Sequence, residues 1–536
     1  MNLMRIPPIL RLKLLWVALI IFIFLLGSIA YGFFTAPKAN PYTPAGQYAA
    51  SPYAVPSWAS IFYGNLPPDI KVPNDYDLIA AKTASVINYW HLSNFTFNGD
   101  AVIIIYNSSY GPKGETNFQK TLYSYGNTGN GSVEIIIEGT NPLNLTLYHD
   151  FLYNYLLPRE TKFGDYEFYI IQASISAYAT NAYYTFNGYV INPSNATFWL
   201  FLAGNYLPTN LVTLSTVFKY LGNGGWNYIL ASSASAGETP WFYTSNIPPN
   251  ESAVASVIML QSMFNSTGNY KVEFTINYIP NGPNSKLVVY LSDLYFEFLG
   301  SRYGVLGTDN NGASVFAEYS QGGIFDLELA ILAGLAIVFI GAVFGLFAGY
   351  YGGKLDQILT SFTDFILLLP GLAILIVLIT IFQQIFTVFP KDILIIIVLV
   401  ILSWPPTSRT IRGQVLQVRN MAFVEAAKAL GMSNMEIIRK HVLRHVFPII
   451  IAQLIFDIPA VIGIESALDF LGIGILKFPT WGNMLGFSIN ASLDAPGFAW
   501  WWILTPGIAL FLLGVSLFYI GEAITRYYGS LVGETH

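Results

Sequence analysis

The block from Leu327 to Tyr527 is a succession of apolar stretches separated by short polar segments, and Leu14 to Phe34 is one more such stretch. A bilayer-spanning helix needs about 20 apolar residues. The stretches 14–34, 327–350, 358–381, 392–408, 446–470 and 502–526 meet that need and predict six transmembrane helices. The fourth is the weakest, because its core from Ile393 to Leu402 is short and runs into Trp404-Pro405-Pro406, so five spans is the alternative. Only 10% of the residues are charged, against roughly 25% in soluble proteins. The chain therefore reads as an N-terminal segment and anchor (1–34), a water-soluble insertion (35–326) and a five-helix membrane core (327–536).

Lys and Arg near span ends set orientation. Arg5, Arg11 and Lys13 precede the first span, and Arg409, Arg412, Arg419, Lys428, Arg439, Lys440 and Arg444 crowd the segment between the fourth and fifth. Both segments are expected on the cytoplasmic side, as are both termini, and 35–326 outside. Trp500, Trp501 and Trp502 fall where an outer aromatic belt is expected. The first span has a rival reading as a cleavable signal peptide ending near Ser28-Ile29-Ala30; a retained anchor is the expectation. The net charge of −6, with no large basic patch, argues against nucleic acid as a partner. The absence of Cys excludes disulfides, zinc–thiolate sites and thiol nucleophiles.

Within 35–326 the residues alternate as strands do, in Ala101–Tyr106, Val133–Glu138, Asn144–Tyr148, Tyr166–Ile175, Ala182–Ile191, Thr197–Leu202, Lys271–Tyr278 and Lys286–Phe298. Asp77–Tyr89 and Glu251–Phe264 read as helices. The expectation is a β-rich sandwich with a few helices. Of 35 Tyr, only Tyr31, Tyr350, Tyr351, Tyr519, Tyr527 and Tyr528 lie outside this block. Such residues either fill a β core or form a stacking platform, and the core is the favoured reading. Glycosylation sequons stand at Asn94, Asn107, Asn130, Asn144, Asn195, Asn250 and Asn265, with an eighth at Asn490 in the last outer loop. None lies in a segment expected inside. The sparse charge of the block predicts a domain little changed by acid.

The segment between the fourth and fifth spans carries the most local information. Asn420 is placed to cap a helix over Met421 to Leu430, and Gly431 is the residue type that ends one. Ser433-Asn434-Met435-Glu436 is a capping box that starts a second helix. Ile437, Ile438, Val442 and Leu443 give that helix an apolar stripe, with Arg439, Lys440 and Arg444 elsewhere. Two short helices joined by one Gly make a knob for docking. Other readings are a DNA-reading helix pair, a basic helix lying on lipid, and a plain solvated loop.

Here the sequence resembles a known family. Glu425-Ala426-Ala427 with Gly431 looks like the EAA loop of ABC importer permeases, which inserts into a groove on the ATPase subunit. The match widens to Leu306-Gly307-Thr308-Asp309, Ala348-Gly349-Tyr350-Tyr351-Gly352-Gly353, Asp364 to Pro370, Trp404-Pro405, Arg412-Gly413-Gln414-Val415, Phe470-Leu471-Gly472-Ile473-Gly474 and Trp481-Gly482-Asn483-Met484-Leu485. These stand where C-class permeases of the dipeptide/oligopeptide type carry similar residues. The chain departs from the family at Gly312-Ala313-Ser314, at Arg444, and in its very long first outer loop.

The resemblance implies a membrane all-α fold of six transmembrane helices, that of an ABC type I importer permease, plus an inserted β-rich extracellular domain. It implies a transport subunit for peptides, or for oligosaccharides as in archaeal relatives. The implied partners are a second homologous permease subunit, two ABC ATPase subunits, an extracellular substrate-binding protein and the lipid bilayer. No P-loop is present, since the one Gly-Lys pair, Gly353-Lys354, is followed by Leu. The chain is thus expected to need no cofactor of its own and no metal, with ATP and Mg on the partner ATPases. The EAA loop, 409–445, would couple them to transport through Glu425, Ala426, Ala427, Gly431, Ser433, Glu436 and Arg439. Ala426 and Ala427 would permit close approach to the groove. Asp364, Asp457, Glu465 and Asp469 lie within or at the ends of spans, where charge is costly. They are either a polar translocation path or structural pairs. The rival classes are a membrane-anchored surface receptor or adhesin and a proton-coupled carrier.

Overall fold

In a computed structural model of the chain, residues 13–43, 46, 49–51, 53–63, 66–72, 91–93, 101–107, 132–155, 169–207, 218–222, 227–232, 263–386, 390–475, 477–494 and 499–533 are described. They form two units. The first comprises Met1–Tyr42, Val315–Asp494 and Trp500–His536; the second comprises Thr43–Ser314 and Ala495–Ala499.

The first unit is helical. Lys13–Thr35 forms α1 and Val315–Tyr351 forms α3, which starts twelve residues before the expected 327 (the one-turn helix α2, Ser60–Tyr63, belongs to the second unit). Gly353–Leu368 and Gly371–Ile385 form α4 and α5, and Lys391–Arg419 forms α6. Ala422–Ala429 is α7 and Asn434–Ile437 is α8; a π turn, Ile438–Val442, leads into α9, Leu443–Phe470. Trp481–Asp494 and Trp500–Gly533 are α10 and α11. Among the described residues five helices are long and apolar enough to cross a membrane, and a sixth span results if α4 and α5 count as one.

Three span expectations need correction. The stretch 358–381 is not one straight helix: α4 and α5 meet at 86°. The break is at Leu369, whose extended backbone (φ −68, ψ 141) is what a residue before proline prefers, with Pro370 following. Conversely, α6 does not stop at Trp404-Pro405-Pro406 but runs through both prolines to Arg419. Proline inside a membrane helix is tolerated where neighbouring helices compensate, and here Trp404 and Pro405 are buried. Trp501 and Trp502 are not an exposed belt: each is 1% exposed, and Trp502 Nε1 donates to a Glu318 carboxylate oxygen at 2.9 Å.

The packing of α3 on α6 rests on glycines spaced by four. A Cβ at Gly341 would lie 2.9 Å from Thr407 Cβ, one at Gly345 2.7 Å from the Ser408 carbonyl oxygen, and one at Gly349 2.8 Å from Val415 Cβ. Small residues at this spacing let membrane helices approach to backbone contact. Arg412 then latches α4 to α6 through two bonds to Asp356, at 2.6 and 2.7 Å.

The described residues of the second unit form two six-stranded sheets. Its strands are β1 Ile70–Val72, β2 His91–Ser93, β3 Ala101–Asn107, β4 Ser132–Glu138, β5 Leu143–Tyr153, β6 Tyr169–Thr180, β7 Ala182–Ile191, β8 Thr197–Gly204, β9 Phe218–Tyr220, β10 Asn227–Ser232, β11 Gly268–Pro280 and β12 Lys286–Phe298. One sheet runs β10-β6-β12-β4-β3 with β1 also on β12; the other runs β2-β5-β11-β7-β8-β9. Alternate residues of both sheets share one core: Ile135, Ile137, Leu287 and Val289 face it from the first, and Leu145, Phe186, Val272 and Phe274 from the second. This is the sandwich that alternation predicts. Tyr153, Tyr184, Tyr270 and Tyr278 are buried in it, so the described tyrosines serve the core more than a platform. The expected helix Asp77–Tyr89, and Glu251–Phe264 up to residue 262, lie outside the described residues.

In the same unit Leu306-Gly307-Thr308-Asp309 is a staple. Thr308 Oγ1 donates to the Ser51 carbonyl at 2.6 Å and accepts from Ala54 N at 2.7 Å, while Asp309 Oδ1 accepts from Asn311 N and Ala313 N at 2.8 and 2.7 Å. Asn107 lies in β3, and Asn144, Asn195 and Asn265 are exposed. Asn94, Asn130 and Asn250 lie outside the described residues. Asn490 is exposed on α10, not in a loop.

Candidate coupling site

The segment between α6 and α9 folds as two short helices around a defined turn. Asn420 does not start α7; it is the C-cap of α6, and Met421 takes the N-cap position with an extended backbone. Residues 409–419 belong to α6, so the loop proper begins at Asn420. α7 ends in a Schellman motif. Gly431 N donates to the Lys428 carbonyl at 3.0 Å and Met432 N to the Ala427 carbonyl at 3.2 Å. Gly431 has φ +78, the left-handed conformation this motif requires. Ser433 then caps α8, its Oγ accepting from Glu436 N at 3.3 Å. The reciprocal half of the capping box is replaced, because the Glu436 carboxylate instead accepts from Lys440 Nζ at 2.6 Å.

The knob is fastened from beneath. Val424, Ala427, Ile437, Ile438 and Val442 share a buried cluster with Ile411, Val415 and Val418 of α6 and Leu346 and Tyr350 of α3. Tyr350 OH donates to Asn434 Oδ1 at 3.1 Å, and Lys428 Nζ sits 5.6 Å from the centre of the Tyr350 ring. Phe423 stacks on His445 with centroids 4.4 Å apart. Glu425, Ala426, Ser433 and Arg439 are exposed, as are Leu430 at 83% and Met435 at 52%. Ala427 is only 4% exposed and packs inward, so close approach from outside falls to Ala426. Leu430 and Met435, which sequence reasoning did not single out, complete the face. Their apolar side chains on either side of the Gly turn were the available signal.

The four span carboxylates do not form one group. Asp364 pairs with Arg409, whose Nε donates at 3.1 Å. Asp457 Oδ2 accepts from Thr407 Oγ1 at 2.9 Å, tying α9 to α6. Asp469 holds the turn after α9: it accepts from Ile475 N at 2.7 Å and from Thr480 Oγ1, and a Cβ on Gly474 would collide with it. Glu465, one turn earlier on α9, is 1% exposed, and its carboxyl group faces that of Asp469, with Asp326 of α3 also nearby. Asp326 of α3 was not anticipated. It accepts from Trp481 N at 2.9 Å at the start of α10, beside the Thr480 that Asp469 holds. A lone carboxylate in an apolar helix was the signal for it, as it was for Glu318. Among the described residues no cluster of His, Asp and Glu is arranged to hold a metal.

Residues 341–529, which contain this knob and the helices around it, match the family of inner membrane components of binding-protein-dependent transport systems. The dipeptide transport system permease protein DppC of Bacillus subtilis (strain 168) is 32% identical over 219 residues, 41% of this chain and 66% of that one. The oligopeptide transport system permease protein OppC of Haemophilus influenzae is 30% identical over 224 residues, 41% of this chain and 68% of the relative. This chain belongs to that family. OppC of Lactococcus lactis subsp. cremoris (strain SK11) extends the match to 277 residues at 27% identity, 51% of this chain and 85% of the relative. The helical unit is therefore a multi-span membrane permease, and the α7–α8 knob lies within the matched residues. The chain spans about two thirds of the first two relatives' length.

Proposed function

We propose that this chain is the permease subunit of an ATP-driven importer of peptides, or of oligosaccharides, with α7 and α8 docking on an ATPase subunit. One observation carries the reading: the exposed face Glu425, Ala426, Leu430 and Met435 is presented by a Schellman turn seated on the ends of α3 and α6. A push on that face is transmitted to two long membrane helices in contact along a glycine stripe. Glu425 supplies charge, Gly431 the turn, and Ser433 and Glu436 the start of α8. Glu436 also holds Lys440, leaving Arg439 to face the partner.

The chain itself would hydrolyse no ATP. Two ATPase subunits, a second permease and an extracellular binding protein would complete the assembly, with both termini and the knob cytoplasmic and the β-rich unit outside. The basic residues around the knob and ahead of α1 support that orientation. Exposed Asn144, Asn195, Asn265 and Asn490 are then available for glycans. Glu465 is the strongest candidate for the path, since Asp364, Asp457 and Asp469 are engaged with Arg409, with Thr407 and with the turn after α9. No observation favours a receptor or adhesin.

The test is purification of the chain from its native membrane followed by reconstitution. ATPase subunits should co-purify, and a peptide or oligosaccharide should stimulate hydrolysis. Recovery without ATPase subunits would refute the reading.

A further inference from the structure

Exposed apolar side chains of the second unit gather around α2. Trp58 is 46% exposed, Ile61 83%, Phe62 77% and Tyr63 36%, and Val305 beside them is 55% exposed. Trp58 Nε1 donates to the Val305 carbonyl at 2.8 Å, joining the two chain segments. The other exposed large apolar side chains described in this unit, Leu152, Tyr183 and Tyr220, stand on three separate strands. The tip is presented by hydrogen bonds at its base rather than by burial of its own side chains. Ser57 N donates to the Gly304 carbonyl at 2.9 Å, Val55 N to the Ser301 carbonyl at 3.0 Å, and Tyr303 N to the Val55 carbonyl at 2.8 Å.

An apolar group of this kind marks a surface for a protein or for a membrane, and the course of the chain favours the membrane. Thr308 bridges Ser314, and the next residue, Val315, opens α3. The apolar stretch of α1 ends at Phe34, and close to that end Gly32 meets Ser320 of α3, a Cβ on Gly32 having only 2.6 Å to the Ser320 Cβ. The hydrocarbon edge therefore falls near Ser320. From there back to Val315 is about 8 Å at 1.5 Å per residue, and the polar layer of one leaflet is about 5–8 Å deep. Val305 precedes Thr308 by three residues, about 11 Å of chain at most. The tip is thus tethered a few residues from the point where the chain leaves the bilayer.

Its composition suits that layer. Trp and Tyr are enriched where bilayer meets water, while Ile and Phe favour the acyl boundary beneath. Lipid tolerates no stranded charge, and the chain from Ala39 to Pro68 contains none. On the neighbouring segment, Asp309 is buried in the staple and Arg302 is half-buried.

We infer that Trp58, Ile61, Phe62 and Val305 dip into the lipid leaflet at which α1 ends and anchor the β-rich unit to the bilayer surface. The inference needs only that α1 and α3 span a bilayer; it does not depend on the transported solute or on ATPase docking.

The chain has no Cys, so Phe62→Cys offers one attachment point for a polarity-sensitive fluorophore, and Leu152→Cys, at a site 58% exposed on β5, is the control. The full chain, in its complex, is reconstituted into phosphatidylcholine vesicles that carry a quencher either beside the head group or at the end of the acyl chain. Emission from position 62 should be blue-shifted, and the quencher beside the head group should act about twofold more strongly, as a side chain about 5–10 Å into the boundary requires. Position 152 should emit as in water and escape both quenchers. Ile61→Cys, labelled alone, should repeat the result of position 62, and Ile61→Asp added to Phe62→Cys should diminish the quenching. Water-like emission from both 61 and 62 would overturn the assignment. So would a blue shift that neither lipid quencher touches, which would mean that a protein covers the tip, and so would quenching unchanged by Ile61→Asp.

Discussion

Substitution of Gly431 separates a conformational requirement from a steric one. A Cβ built on Gly431 meets no atom within 4 Å, so bulk by itself is harmless there. The cost is backbone: at φ +78 an L-residue pays about 1–2 kcal/mol, and a β-branched residue fares worse. A shift of that size changes the population holding the turn by about 5–30-fold. Asn visits this conformation readily. The helices on either side stay fastened, because Val424, Ala427, Ile437 and Ile438 are buried independently of the turn. The expected order of substrate-stimulated ATP hydrolysis in the reconstituted complex is therefore Gly431 close to Gly431→Asn, then Gly431→Ala, then Gly431→Val. Membrane insertion and yield should be equal across the series. If Asn is as damaging as Val, or Ala is harmless while Asn is not, the turn geometry is not what couples the knob.

Other expectations follow from single contacts. Gly345→Leu drives a side chain into the Ser408 carbonyl and should cost about 1–3 kcal/mol, seen as increased protease sensitivity of the helical unit; unchanged sensitivity would contradict the packing of α3 on α6. Asp469→Asn keeps an amide oxygen as acceptor for Ile475 N but exchanges a charged hydrogen bond for a neutral one, a loss of about 1 kcal/mol, and should lower thermal stability modestly without altering which solute stimulates hydrolysis. In the β-rich unit, burial and then the neighbouring Glu297 push the Asp69 carboxyl well above its ordinary value, against the opposing pull of Lys71. The folded state thus binds the proton more tightly than the unfolded one. That stability is complete below the ordinary carboxylate range and is lost as pH rises through the raised value. Against the little change that the sparse charge of the block predicts, the unit should therefore melt higher as pH falls toward the ordinary carboxylate range, and Asp69→Asn should flatten the dependence. A melting temperature that falls on acidification would refute this.

Much of the fold was legible because membrane helices and half-buried strands announce themselves by length and period. The expected strands from Ala101 to Phe298 were found within about five residues, each carrying its apolar face in alternation, whereas the short β9 and β10 were not anticipated. Prolines were harder to read. Pro370 breaks a span, whereas Pro405 and Pro406 do not, and the difference lies in the neighbouring helices rather than in the local sequence. Asn420 suits either end of a helix, and only the continuation of α6 past the prolines makes it a C-cap. Gly431 and Ser433 were legible as turn and cap because each role demands one residue type. The inward turn of Ala427 was not, since alanine fits both faces of α7. Asp326 went unnoticed because its partner, the Trp481 amide, is distant in sequence.

The absence of cysteine makes the central claim directly measurable. Ala426→Cys places one thiol on the exposed face of α7, and Asn195→Cys places one on the β-rich unit as a control. With a short thiol-reactive crosslinker in native membranes, the first should join the chain to an ATPase subunit in a manner altered by ATP, and the second should not. If the Ala426→Cys chain crosslinks to no ATPase subunit, in membranes where transport is intact, the account is contradicted.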